Sequence, residues 1–378
     1  MDPADPFAAL ARPDLDRLVV GVVSYDAGAR PATGPRPPSD GDWPDLMLAR
    51  YPAMLVFDHR DRAVSAIGRG ADAAQAQAGV ELAARWIEQA VVPPAALPPA
   101  AALEAEAPDV AYREAVADVV GRIAAGDLFQ ANIARAWTGA LNPGADPFEV
   151  FVRLSQGPSP YCAFWRLGER AIVSNSPELF LTFDPATRRI ETRPIKGTRA
   201  RDPDPVVDAR RADDLIASEK DRAENLMIVD LMRNDLSRVS APGGVAVERL
   251  FALESFATVH HLVSTVVGQA APGVGAADLL AATFPPGSIT GAPKHQAMKV
   301  IAGHEPPRGA WCGSLFLLDH EARLTASVLI RTLTFWRDGG RWAFRTLAGA
   351  GIVADSVPAE ELAETEAKIA AIRTALIG

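Results

Sequence analysis

The sequence predicts an α+β fold in which antiparallel sheets carry helices on their outer faces. Three observations lead there. Short apolar runs crowd the region 171–354: AIVSN, LFLTF, RIETR, LTASVLIRTLTFW and RWAFRTLAGAGIVA. Helical patterns stand apart from these runs and do not alternate strictly with them: VAYREAVADVVGRIAAGD, a long pattern over 211–235 that ends at Asn-Asp, and the last 20 residues from Ala359. No internal sequence repeat is present.

Taken in order, RLVVGVVSYDAG reads as a strand and turn, and PATGPRPPSDGDWP as a Pro- and Gly-rich loop. AMLVFDHRDRAVSAIG reads as a hairpin and AAQAQAGVELAARWIEQAV as a helix. Residues 91–108 are rich in Ala and Pro, and their proline pairs forbid a regular helix, so they are the expected linker between a segment 1–90 and a main domain 109–378. The domain opens with the helix VAYREAVADVVGRIAAGD, ending at Gly-Asp, and LFQANIARAWTG then alternates as a strand.

The bulk properties exclude several classes. A net charge of −9 and a pI near 5.3 are wrong for a phosphate-neutralising nucleic-acid binder. No apolar run reaches the length of a membrane span, and MDPADPFAALARPDLDRLVV lacks the basic start of a secretory signal. Cys162 and Cys312 are too few and too isolated for a disulfide framework or a zinc site. A cytoplasmic protein is expected.

Five constellations are candidates for chemistry. Asp221 and Glu224 are three apart on a predicted helix, and Glu361 and Glu364 repeat that spacing on the last one. Such pairs suit a hard divalent cation such as Mg2+, or are solvated helix faces. FPPGSITGAPKHQAM carries Gly287, Ser288, Thr290, Gly291 and Lys294 but not the spacing of a nucleotide P-loop; it is a backbone nest for a carboxylate or a turn before a helix. Gly349-Ala350-Gly351 ends a strand with small residues, permitting close ligand approach or tight packing. His260 and His261 open an apolar strand and must point to opposite faces. Arg331 lies in an apolar strand, so it needs an internal acid or a bound carboxylate. Together they suggest a cleft for a small polyanionic metabolite.

The motifs SPELF, RPIKGTR, AENLMIVDLMRNDL, HHLVSTVVG, FPPGSITGAPK, RGAWCG, IRTL and GAGIVADS occur in the order found in the chorismate-utilising enzymes. The chain resembles that family over about 270 residues, from the linker to the C-terminus. The family includes anthranilate synthase component I, aminodeoxychorismate synthase component I and the isochorismate and salicylate synthases. The resemblance implies an α/β sandwich of antiparallel sheets with outer helices and the active site in the cleft between sheets. Residues 1–90 then correspond to a shortened form of the family's N-terminal segment, and Pro160-Tyr161-Cys162 to its Pro-Tyr-Met-like motif. Leu315-Phe316-Leu317 departs from the Gly-aromatic pair usual in relatives.

Within the family, Lys196 of RPIKGTR is similar to the aminodeoxychorismate synthase branch; anthranilate synthases carry alanine there. The implied reaction replaces the C4 hydroxyl of chorismate with an amino group, on the route to 4-aminobenzoate and folate. The resemblance implies that Glu224 and Glu364 bind Mg2+, with Asp221 and Glu361 as second acids. It implies that Arg331 and the backbone of Gly349, Ala350 and Gly351 hold a carboxylate, and that Gly197 and Thr198 line the ring. Trp311 and Ser288 would stand near the substrate. Lys196 would be the nucleophile, forming a covalent adduct at C2, Glu178 the general acid, and His261 the active-site histidine. Ammonia is expected from a separate glutamine amidotransferase subunit. The competing readings are an anthranilate synthase component I and a non-catalytic chorismate-binding partner of an amidotransferase.

Overall fold

A computed structural model describes residues 6–11, 17–37, 43–93, 97–157 and 159–378. Two antiparallel sheets dominate. The nine-stranded sheet runs in the spatial order Ile195–Ala200, Val259–Ala270, Arg189–Thr192, Leu179–Phe183, Leu324–Val328, Ser314–Leu318, Val19–Val23 and Leu46–Arg50, and Ser240–Ser255 also pairs with Val259–Ala270. The seven-stranded sheet runs Gly291–Ala292, Gln130–Ala140, Arg341–Ile352, Thr332–Asp338, Arg170–Ser176 and Tyr161–Leu167, and Glu104–Ala105 pairs with Gln130–Ala140. Ala53–Asp58 and Ala63–Gly68 form the expected separate hairpin.

Val19–Val23 lies between Ser314–Leu318 and Leu46–Arg50, so residues on both sides of the 91–108 stretch share one sheet. The pairing is close. A Cβ on Gly21 would fall 2.2 Å from the Phe316 ring, so this glycine makes room for the Leu-Phe-Leu sequence opposite. Of the 91–108 stretch, residues 94–96 lie outside the described residues.

Helices cover the outer faces. Glu219–Ser237 buries Ile228, Val229, Met232 and Leu236 in the largest core cluster, together with Phe180, Phe183, Val266 and Phe316. Pro358–Ile377 buries Ile369, Ile372 and Leu376 against Phe335, Phe344 and Val173. Asp109–Ala124 packs Val116 and Val119 on Ile133 and Ile352. Burial of such side chains is worth roughly 1.5–3 kcal/mol each. Among the described residues no helix is long and apolar enough to cross a membrane.

Three elements depart from the sequence pattern. The helix expected over 211–235 is two helices, Pro205–Ala217 and Glu219–Ser237, parted at Ser218, whose hydroxyl caps the second by accepting from the Asp221 N–H. SYDAG starts the helix Tyr25–Thr33 instead of a turn, because Ser24 caps it and Tyr25, Ala27 and Ala29 are buried. LTASVLIRTLTFW is not one strand. Leu324–Val328 belongs to the nine-stranded sheet and Thr332–Asp338 to the seven-stranded one, and the chain crosses between them at Arg331 with φ +50°. A non-glycine residue in that region is uncommon and marks a sharp redirection.

Candidate active site

Lys196 sits at an irregularity in its strand. Ile195 pairs with Val263 and Thr198 with His261, so an extra residue bulges between them. A bulge re-aims side chains. The neighbour Gly197 has φ +86°, and a Cβ there would lie 2.8 Å from Leu215 Cδ1 and 2.9 Å from Asp221 Cγ. Glycine is thus required by both conformation and space. The re-aimed Lys196 reaches across to the other sheet: its Nζ lies 3.1 Å from where a Cβ on Gly351 would be. Lys196 makes no hydrogen bond or ion pair among the described residues.

Glu178 precedes the strand Leu179–Phe183 and is 6% exposed. Burial pushes its carboxyl up to about 7, against the opposing pull of a Ser288 hydrogen bond and of the Lys196 and Lys368 charges. A carboxyl half-protonated near neutrality is suited to general-acid work.

The two histidines face opposite ways, as the strand period requires. His260 is held structurally, its Nδ1 2.8 Å from Ser255 Oγ and its Nε2 3.0 Å from Asp208 Oδ1. His261 places Nδ1 2.9 Å from Thr198 Oγ1. Burial, then the Arg331 charge, lowers its pKa to about 4, so it is neutral at pH 7.

Arg331 occupies the crossing between the sheets. Its carbonyl accepts from the Asn175 N–H at 3.0 Å, but its guanidinium has no ion pair or hydrogen bond among the described residues. Burial lowers its pKa. Among the described residues no acid pairs with Arg331, so its guanidinium is available to an anionic group.

The acids gather from two helices. Burial raises the Glu224 carboxyl, and the Asp221 and Glu364 charges raise it further, against Lys196 and Lys220. It has no hydrogen bond or ion pair among the described residues. Asp221 is engaged with Arg199 Nη2 at 2.9 Å. Glu361 is buried and accepts from Ser356 Oγ at 2.7 Å. Glu364 meets Lys368 Nζ at 2.5 Å, and the same ammonium donates to the Gly349 carbonyl at 2.8 Å. Among the described residues no three His, Cys, Asp or Glu side chains already form a metal cluster. The unpartnered Glu224 and its repulsion by Glu364 nevertheless fit Mg2+, which takes one or two carboxylates and fills its octahedron with water and substrate oxygens.

The remaining candidates divide. Ser288 lies near Glu178 and holds its carboxyl down against the effect of burial. Gly349 and Gly351 share the face that meets Lys196, whereas the Ala350 side chain is fully buried on the opposite face with Val116 and Ile301. Trp311 is 3% exposed within the core, with the Arg308 guanidinium 5.2 Å from its ring centroid.

Three residues were not singled out from the sequence: Gln130, Asn132 and Lys368. Both amide atoms of Gln130 are buried without a partner, and its Nε2 lies 3.1 Å from the Gly351 Cβ position, beside Lys196. The signal was present, since two amides at i and i+2 of an apolar strand share one buried face.

This geometry brings together an unpaired lysine amine, a carboxyl that titrates near neutrality, an unpaired arginine and an acid pair where the two sheets meet. A family model described as chorismate binding enzyme matches residues 3–374. The chain belongs to the chorismate-binding enzyme family. It is 42% identical over 354 residues to aminodeoxychorismate synthase component 1 of Klebsiella aerogenes, covering 93% of this chain and 75% of that protein. It is 38% identical over 379 residues to anthranilate synthase component 1 of Thermus thermophilus, covering 98% and 80%. The crystal structure of anthranilate synthase component I from Streptococcus pneumoniae TIGR4 is similar with a TM-score of 0.81 at 27% identity, over 94% of this chain and 80% of that one. The family's sandwich of antiparallel sheets is the fold found here, and the chain is a chorismate-utilising enzyme of this kind.

Proposed function

We propose that this enzyme converts chorismate and ammonia to 4-amino-4-deoxychorismate. Overall identity separates this reading from anthranilate synthesis by only a few per cent. The carrying observation is Lys196, an unpartnered amine projecting across the cleft, with the near-neutral acid Glu178 in the same electrostatic neighbourhood.

The chemistry follows from these groups. The Lys196 Nζ lone pair attacks C2 of chorismate, both ring double bonds shift (C1=C2 to C1=C6 and C5=C6 to C4=C5), and the C4–O bond breaks. Glu178 gives its proton to the departing hydroxyl, which leaves as water, and the new lysyl nitrogen loses one proton to solvent. Ammonia then bonds to C4, both double bonds shift back, the C2–N bond breaks, and the proton lost by ammonia is balanced by reprotonation of the departing Lys196 nitrogen. One difficult substitution becomes two easier ones. Arg331 holds one substrate carboxylate by its planar fork. Mg2+, when bound by Glu224 and Glu364, supplies positive charge for the other. His261, uncharged, orients Thr198 beside the ring. Ammonia is delivered in the cytoplasm by a glutamine amidotransferase subunit, and the product enters 4-aminobenzoate synthesis.

Incubation of the purified chain with chorismate, Mg2+ and ammonium chloride tests this. Aminodeoxychorismate is expected, detected as 4-aminobenzoate once a lyase is added; fluorescent anthranilate would establish the competing assignment. Binding of chorismate without turnover would establish the non-catalytic one. Without ammonia, a mass increase of chorismate minus water is expected on Lys196. Lys196→Ala should abolish both adduct and product while still binding chorismate; near-normal turnover by Lys196→Ala would overturn the covalent route.

A further inference from the structure

Asn132 lies on the cleft floor with its side-chain oxygen unused. It is 7% exposed, and Oδ1 has no hydrogen-bond donor among the described residues. Its backbone is clamped on both sides: the N–H donates to the Thr290 carbonyl at 2.9 Å, and the carbonyl accepts from Arg308 Nη2 at 2.6 Å. The amide is therefore presented from a rigid position. Leaving a buried acceptor unpaired costs about 1–3 kcal/mol. A fixed, unpaired acceptor is what a ligand site requires.

Its surroundings indicate which ligand. Asn132 pairs with Gly351 across the strands, and Oδ1 sits 2.8 Å from the Cβ position of Gly349. It thus shares the face over which Lys196 lies. Thr290, its backbone partner, follows Ser288 by two residues, and Ser288 lies near Glu178. Asn132 thus stands on the strand face beside Lys196, with its backbone tied to the segment that carries Ser288. Lys196 and Lys368, which meet this strand at Gly351 and Gly349, are donors matched to the carboxylates of chorismate, and the acid coupled to both of them, Glu178, is taken up with protonating the leaving hydroxyl. Ammonia is the reverse kind of ligand. It has three N–H donors and one lone pair, and that lone pair is free to attack only if acceptors behind the nitrogen take the N–H groups.

We propose that Asn132 Oδ1 is an acceptor that holds incoming ammonia against C4, making Asn132 a specificity-determining residue for the nitrogen nucleophile. The proposal rests on the amination reading above. It separates ammonia capture from the preceding lysine attack, which needs no acceptor at this place.

The test varies ammonium chloride at fixed pH and saturating chorismate in Asn132→Ala and Asn132→Asp, the latter retaining an oxygen at the same reach. Loss of one hydrogen bond predicts a rise of about tenfold in KM for ammonia in Asn132→Ala. KM for chorismate and the ammonia-free rate of adduct formation on Lys196 should stay within twofold of wild type, and Asn132→Asp should recover most of the loss. If Asn132→Ala fails to fold, Asn132→Leu keeps a side chain of similar shape but carries no acceptor, and the same pattern is expected. An unchanged ammonia KM overturns the proposal. So does a parallel loss in chorismate KM and adduct rate, which would show that the amide binds the substrate hydroxyl or only packs. Wild-type protein that makes no aminated product overturns the amination reading itself, and Asn132's role with it.

Discussion

Lys196 Nζ and the backbone of Gly351 approach each other so closely that a methyl group on Gly351 would start 3.1 Å from the ammonium. The contact joins the two sheets across the cleft, and it ties the choice of glycine at 351 to the position of the reactive amine. Gly351→Ala is therefore expected to displace Lys196 and Gln130 by a few tenths of an ångström. Both are side-chain ends able to move, so folding should be little affected. Turnover should fall about five- to tenfold, because nucleophilic attack depends steeply on placement. Thermal denaturation together with the ammonia-free adduct rate checks this. A large drop in melting temperature with a normal adduct rate would mean that Gly351 serves packing alone.

Glu178 carries a pH prediction with a definite sign. Its carboxyl is raised from 4.5 to about 7 by burial. Between those values the folded state holds a proton that the unfolded state has released, so stability falls as pH rises from about 4.5 to 7 and levels off above. The full effect is about 3 kcal/mol. Glu178→Gln removes this titration, and it should be more resistant to urea than wild type at pH 8 while matching it more closely at pH 4.5. The rate of adduct formation without ammonia should decline through pH 7 in the wild type, as the acid form is lost. Equal urea midpoints for the two proteins at pH 8 would refute the buried-acid assignment.

How far the sequence spoke for itself differs from residue to residue. Alternation and helix spacing announced the antiparallel sheets and outer helices, and the opposite orientation of His260 and His261 followed from the strand period alone. The two acid pairs showed in their helical spacing, and Lys196 and Glu178 were found through ordered motifs. A shared cleft was suggested by these groups together, but which strands bring them into contact was not readable, because that depends on pairings such as Asn132 with Gly351, about two hundred residues apart. Arg331 shows the limit most clearly. Its apolar neighbours resemble a continuous strand, and only tertiary structure reveals that the chain changes sheets there. Gln130 and Asn132 were overlooked for a different reason: an amide in a strand carries no charge, and its significance appears only when its partner proves to be absent.

The position of Arg331 leads to a further prediction. Its guanidinium is only partly exposed to water and has no acid beside it among the described residues, so the ligand-free protein bears an unpaired, half-buried cation. Such a group destabilises the fold until an anion arrives. Arg331→Gln keeps the polar reach but removes the charge. The ligand-free variant should be at least as stable as wild type, by about 1 kcal/mol or more in urea unfolding. Chorismate binding should weaken by about a hundredfold, the cost of losing a charge-assisted, two-pronged contact with a carboxylate. Arg331→Lys should recover little, since a single ammonium does not reproduce the planar fork. Isothermal titration with chorismate in the absence of ammonia measures the affinity, and adding saturating chorismate to the urea series measures the coupling: wild type should gain markedly in stability and Arg331→Gln hardly at all. If Arg331→Gln binds chorismate as tightly as wild type, or is destabilised by several kcal/mol without ligand, the arginine is a structural strut of the crossing between sheets and not the substrate's carboxylate anchor.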